Sequence, residues 1–247
     1  VAHMGKLDGI DYWRNECTLA NPPIPLLIDA CEAHGATWQG QGISQLCDVA
    51  TFSFYAAHII VAGEGGMVCT NNGEIAELCR SIKSHGRPVG TDYFSFDRMG
   101  TNAKANDLTA AIGRGSLGKF EEIFRRRREI RQSMLDGLDQ LRDRLIFYPD
   151  ADGEVIAPHA FPIVFRGRAA TMMGLSRALE NASVQSKTLF GSLPVQHAAF
   201  GHLGYGWGDF PVAEHVGRAG IHWGCHEAMT DEDVDLICDI VRKAVSG

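Results

Sequence analysis

The chain has 247 residues, and 23 Lys and Arg against 30 Asp and Glu leave a formal net charge of -7 at pH 7. That balance argues against nucleic acid as a partner, because neutralising phosphates takes an excess of cations. The apolar fraction of 45% and charged fraction of 21% suit a soluble globular protein of one large domain or one and a half. No apolar run approaches the roughly 20 residues of a membrane helix, and no signal peptide opens the chain. The seven cysteines are scattered without a C-x-x-C pair, which predicts reduced thiols and a cytoplasmic location.

In chain order, the first strong signal is the short apolar run from Ile24 to Ile28, entered through prolines 22, 23 and 25. It reads as a buried parallel strand. Asp29 sits at its carboxyl end, where open α/β sheets bind ligands. A carboxylate there either keeps a pyridinium nitrogen protonated, so that a coenzyme ring can accept electrons, or caps the next turn. Val49 to Tyr55 alternates, with Phe52 and Phe54 on one face and Thr51, Ser53 and Tyr55 on the other, as a half-buried strand does. His58 follows among Ala57, Ile59 and Ile60, where a lone histidine is by default a core residue. Gly63-Glu64-Gly65-Gly66 reads as a turn, and Met67 to Thr70 as the returning strand of a hairpin. Asn71, Asn72 and Glu74 open a helix through Ser84, with Gly86 beyond its end.

A helical pattern then runs from Asp107 to about Arg144, with Gly113, Gly115 and Gly118 marking a break between two helices. Its four consecutive arginines, 125–128, lie among Glu121, Glu122 and Glu129 and read as a solvated face. Beyond residue 146 the pattern predicts a strand over Ala160 to Phe165, a helix over Thr171 to Asn181 and a final helix opened by Thr230 and Asp233. Tyr205 and Trp207 lie in a glycine-rich loop. His222, Cys225 and His226 have metal-binding side chains but no fourth ligand, so no metal is expected.

The stretch PLLIDACEAHGA followed by DVATFSFYAAHIIVAGEGGMVCT resembles the core of the DegT/DnrJ/EryC1/StrS sugar aminotransferases, which use pyridoxal phosphate. The likeness extends over nearly all of the chain. It implies an α/β, fold-type-I PLP-dependent transferase-like fold: a partial large domain with a mixed, mostly parallel sheet, plus an α+β small domain. Residues 1–125 would be the carboxyl-terminal part of the large cofactor-binding domain and 126–247 the small domain. VAHMGKLDGIDYW resembles the strand and turn that follow the first half of the family's large domain. In the family a lysine before the Gly-Glu-Gly-Gly turn holds the coenzyme covalently. Here that position is His58. The replacement resembles a branch of sugar 3-dehydratases of the GDP-4-keto-6-deoxymannose 3-dehydratase type.

The resemblance implies a role for each matching residue. Asp29 would face the coenzyme ring nitrogen and Ser53 the phosphate. Glu32 stands where relatives place Gln or His over the ring, a departure that leaves it to tune a proton transfer or pair with a surface cation. Asn102, in Gly100-Thr101-Asn102-Ala103-Lys104, would reach the phosphate bound by a neighbouring subunit, which implies a homodimer. Lys187 and His197 resemble the family's segment near the substrate entrance. His58 lacks a primary amine, so pyridoxal or pyridoxamine 5'-phosphate would be held non-covalently, while an imidazole can still move protons near neutral pH. The loop from Arg87 to Met99 has no cysteine, so no iron–sulfur cluster is expected.

The activity implied is removal of the C3 hydroxyl from a 4-keto-6-deoxy nucleotide sugar, with an amino donor such as glutamate. A nucleotide-sugar 4-aminotransferase homologue and an inactive, truncated subunit are the alternatives.

Overall fold

The structure, a computed structural model, describes all residues except 8, 91–93, 168, 190–192 and 247, and only the backbone of 169–171 and 246. Thr91, Asp92 and Tyr93, inside the cysteine-free loop, and Phe190, beside Lys187, therefore lie outside the described residues. Two compact units form: Val1–Phe124 with Asp150–His159, and Arg125–Pro149 with Ala160–Gly247.

The first unit begins differently from the expected strand and turn. Residues Ile10–Leu19 form helix α1, opened by Gly9 at φ +69. The segment has no period-2 alternation to favour a strand, and Ile10 is the helix's one buried residue. Strand β1, Leu27–Asp29, is shorter than its apolar run, and Leu27 is 58% exposed. Two short strands follow, β2 (Thr37–Trp38) and β3 (Gln41–Gly42), then β4 (Val49–Ser53) and β5 (Gly66–Thr70). β1 pairs with β4 in parallel, placing Asp29 opposite Thr51, and β4 pairs with β5 antiparallel. This mixed sheet has the order β1-β4-β5. Ala30 and Ala33, both at 0% exposure, join Ile28, Leu46, Ala50 and Ile59 in the core beneath it.

Helix α2 spans Gly73–Ile82, and the Asn72 side chain accepts from the Glu74 and Ile75 N–H groups, satisfying orphan donors of its first turn. Asn106 caps α3, Asp107–Leu117, in the same way through Thr109. The break expected near the glycines falls at Gly118, and α4 runs from Phe120 to Gly137. Its arginine run is not wholly solvated. Arg127 is 7% exposed, with Nε 3.1 Å from Glu227 Oε2, and Arg131 is 5% exposed and bonds the Tyr148 carbonyl. The helical repeat explains the correction, because positions 127, 130, 131 and 134 share one face and Ile130 and Met134 are core residues.

Strand β6, Leu145–Phe147, belongs to the second unit, whereas β7, Glu154–Val155, returns to the first and pairs with β2. The second unit continues with β8 (Ala160–Phe165), α5 (Ala169–Asn181), β9 (Ser186–Thr188), α6 (Pro211–Ala219), β10 (Gly220–Gly224) and α7 (Asp231–Ser246). Its sheet is antiparallel, ordered β6-β8-β10-β9, and Phe161 and Trp223 meet in its core with ring centroids 5.3 Å apart. Thr230 and Asp233 exchange hydrogen bonds at the start of α7, as their spacing predicts.

One buried carboxylate ties the ends of the first unit together. Glu154 is 5% exposed and accepts from Lys6 Nζ at 2.5 Å, Leu7 N at 2.6 Å and Ala151 N at 3.0 Å. Beside it, Gly5 at φ +82 lets the chain run against Ala157; a Cβ there would stand 1.7 Å from the Ala157 carbonyl oxygen. Glu154→Ala removes the acceptor shared by the Lys6 ammonium and two N–H groups, and the first unit is expected to lose about 3 kcal/mol. Urea unfolding followed by fluorescence measures the loss.

Candidate active site

His58 lies on a bend, not on a strand, between β4 and β5. The bend is held by its neighbours. The His58 N–H donates to the Tyr55 carbonyl at 3.0 Å, Ile59 is 3% exposed, and the Ala62 N–H donates to the Phe54 carbonyl at 2.8 Å. From outside the bend, the Ser116 hydroxyl accepts the Val61 N–H at 2.9 Å and His34 Nδ1 accepts the Ile60 N–H at 3.1 Å. The side chain of residue 58 is therefore placed by backbone bonds and buried apolar neighbours.

Three histidines converge there. Ring centroids lie 5.8 Å apart between His34 and His58, and 5.2 Å between His58 and His159. His159 Nε2 is 3.7 Å from Glu32 Oε1, and Glu32 Oε2 accepts the Met4 N–H at 2.6 Å. Gly35, at φ +86, allows the turn carrying Glu32 and His34 to close on α4; a Cβ would stand 2.6 Å from the Phe120 ring.

His34 is 3% exposed and accepts through Nδ1, so its ring is neutral with the proton on Nε2. That Nε2 is buried without a hydrogen-bond partner. Burial pushes its pKa down to about 4, charge on His58 and His159 adds to the effect, and the Ser53 carbonyl opposes it. Cys31 moves the other way: burial, then the carboxylate of Asp29, raise its thiol to about 11. It stays a protonated thiol and is no nucleophile.

The expected site residues distribute as follows. Asp29 is half-buried at the carboxyl end of β1, with Oδ1 accepting the Cys31 N–H at 3.1 Å. Ser53 ends β4, and its hydroxyl oxygen accepts the Tyr55 N–H at 3.2 Å, leaving its own proton to donate. Glu32 contacts His159 and the chain near Met4, and among the described residues no surface Lys or Arg pairs with it. Asn102 is exposed and forms an isolated bridge with Ser84. Lys187 and His197 are exposed residues of the second unit, Lys187 opposite His222 in the sheet. Next to His197, Gln196 donates to the Gly206 carbonyl and to Glu214 Oε1, both at 2.7 Å. Glu214 Oε1 also accepts the Gly208 N–H at 2.8 Å, so one buried carboxylate shapes the glycine-rich loop. Arg218 lies 5.5 Å over the Trp207 ring.

His34 and His159 escaped the sequence reading. His34 carried a local signal, a histidine beside a glycine five residues after Asp29. His159 carried none, because a hundred residues separate it from His58.

A family model for the DegT/DnrJ/EryC1/StrS aminotransferases matches residues 1–242. The chain belongs to that family. Among curated relatives, it is 28% identical to dTDP-4-dehydro-2,6-dideoxy-D-glucose 3-dehydratase of Saccharopolyspora spinosa, over 90% of this chain and 53% of that protein. It is likewise 28% identical to GDP-perosamine synthase of Caulobacter vibrioides, over 86% of this chain and 56% of that protein. The chain thus spans just over half the length of these relatives. The solved aminotransferase TlmJ from Streptoalloteichus hindustanus matches with a TM-score of 0.86 at 26% identity, covering 99% of this chain and 64% of that one. The fold-type-I α/β architecture follows from these matches. Among the described residues no helix is long and apolar enough to cross a membrane.

In this family member, His34 has a folded pKa of about 4, below its ordinary 6.5, so the unfolded chain takes up the proton first as pH falls. The stability from the neutral ring is present above pH 6.5 and is lost progressively toward pH 4. Unfolding free energy measured across that window is expected to decline, and His34→Gln to flatten the decline.

Proposed function

We propose that this chain belongs to an enzyme that removes the C3 hydroxyl of a 4-keto-6-deoxy nucleotide sugar, with pyridoxal or pyridoxamine 5'-phosphate held without a covalent bond. The observation that carries the reading is the imidazole of His58, set beside a second imidazole that meets a carboxylate, at the position where family members carry an amine. In this reading residues 1–125 are the carboxyl-terminal part of the coenzyme-binding domain and 126–247 the small domain. Similarity to a 3-dehydratase supports the reaction type.

The residues present fit such a coenzyme. Asp29 offers a half-buried carboxylate at a strand's carboxyl end, suited to a protonated ring nitrogen. Ser53 retains a hydroxyl proton for a phosphate oxygen. When bound, the group supplies a cationic ring able to take up an electron pair from a neighbouring carbon.

The chain's own residues would divide the work. Asp29 holds the ring nitrogen's proton. A ring nitrogen of neutral His58 takes the proton whose removal drives loss of the C3 hydroxyl. His34 is neutral at working pH and adds no competing charge. Lys187 and His197 are assigned to the nucleotide-sugar diphosphate, which favours cations and donors. Asn102 is assigned to the phosphate of a partner subunit in a homodimer, and glutamate serves as amino donor.

A second reading, a 4-aminotransferase, is favoured by the similarity to GDP-perosamine synthase. The test mixes purified protein with pyridoxamine phosphate and a panel of nucleotide 4-keto sugars, reading 3-deoxy product by mass spectrometry. His58→Asn is expected to lose at least about 100-fold of that product. His58→Lys is expected to abolish it and, when mixed instead with pyridoxal phosphate, whose aldehyde can condense with the new amine, to form a coenzyme adduct visible by absorbance. Aminated product from the wild type, increased by His58→Lys, would overturn the dehydratase reading in favour of the second.

A further inference from the structure

His58 is surrounded by more titratable groups than a single base needs. Its ring neighbours include His34 on one side, His159 on the other and Tyr55 on its own bend, the last with ring centroids 6.2 Å away. Tyr55 is a neutral phenol at physiological pH, and His34 is neutral by burial and by the Ile60 N–H it accepts. Among these rings, His58 and His159 are the pair left to carry a proton near neutral pH. Two imidazoles this close resist being charged together.

Glu32 breaks the tie. Its carboxylate is within 3.7 Å of His159, and the side chains are only 14% and 18% exposed, so solvent screens the pair weakly. The Met4 N–H fixes the carboxylate's other oxygen at 2.6 Å. His3 also faces Glu32, but burial, the largest influence on it, holds its proton affinity below the ordinary value.

We propose that Glu32 fixes the cluster's positive charge on His159, and that this charge keeps His58 a neutral, proton-accepting imidazole. Glu32 and His159 are then positioning residues that act through His58. No bond is made or broken in this arrangement; only the site of one proton is decided. The inference rests on the reading of His58 as a base, but its first test needs neither coenzyme nor substrate.

The test labels histidine rings with 13C in the full chain and follows their NMR titrations, assigning His58 and His159 from His58→Asn and His159→Asn. Glu32→Gln preserves the acceptor for the Met4 N–H and removes the charge. It is expected to lower the His159 midpoint by about one pH unit and to raise that of His58. His159→Asn is expected to raise the His58 midpoint as well, and decides the matter if Glu32→Gln does not fold. Shifts of both midpoints in one direction, or none beyond about 0.2 unit against the one unit expected, overturn the proposal.

If the wild type yields 3-deoxy product, the acid limb of kcat/KM is expected to move to higher pH in Glu32→Gln, following His58; an unmoved limb overturns the proposal. Opposed midpoint shifts without 3-deoxy product leave the charge arrangement standing and sink the dehydratase reading. Product without midpoint shifts does the reverse.

Discussion

The carboxylate of Glu154 holds the first unit together at the point that matters for the site. By gathering Lys6, Leu7 and Ala151, it brings residues 150–159 back to the beginning of the chain. Buried ionic hubs of this kind add little net stability over an apolar replacement, but they are costly to break and specific about what they join. Here the specificity bears on the candidate site. The same return places His159 at Glu32 and His58, and the open backbone at Gly5 lets Ala157 run alongside.

The electrostatics of the cluster follow from unequal burial. His34 is sealed in and committed through Nδ1, and is neutral for that reason. His159 keeps a carboxylate within reach. His58, between them, takes its character from both neighbours. In the proposed arrangement, three chemically identical side chains acquire different tasks. Neither charge nor burial alone would separate them.

Much of this was legible in the sequence. The β4–β5 hairpin, the caps at Asn72, Asn106 and Thr230, and the two-helix break near Gly118 each followed from local chemistry that the structure repeats. The position of His58 could be read because a motif surrounds it on both sides. What could not be read was whatever depends on chain return. His159 reaches the site through the tertiary contact of residues 150–159, and no local pattern marks it. Arg127 misled for a related reason: a run of four arginines looks solvated until the helix face it shares with Ile130 and Met134 is known to be inward. The amino-terminal helix replaced an expected strand because the resemblance, rather than a periodicity in the residues, had suggested the strand.

The bend that carries His58 has one further consequence. Its shape is set by Ile59, by the N–H groups of Ile60 and Val61, and by the closure between Phe54 and Ala62; residue 58 lends its backbone N–H to that scaffold. In the proposed reading, folding and reactivity fall to different residues of one short loop. A lineage can exchange the side chain there, amine for imidazole, and alter the chemistry without redesigning the architecture that presents it.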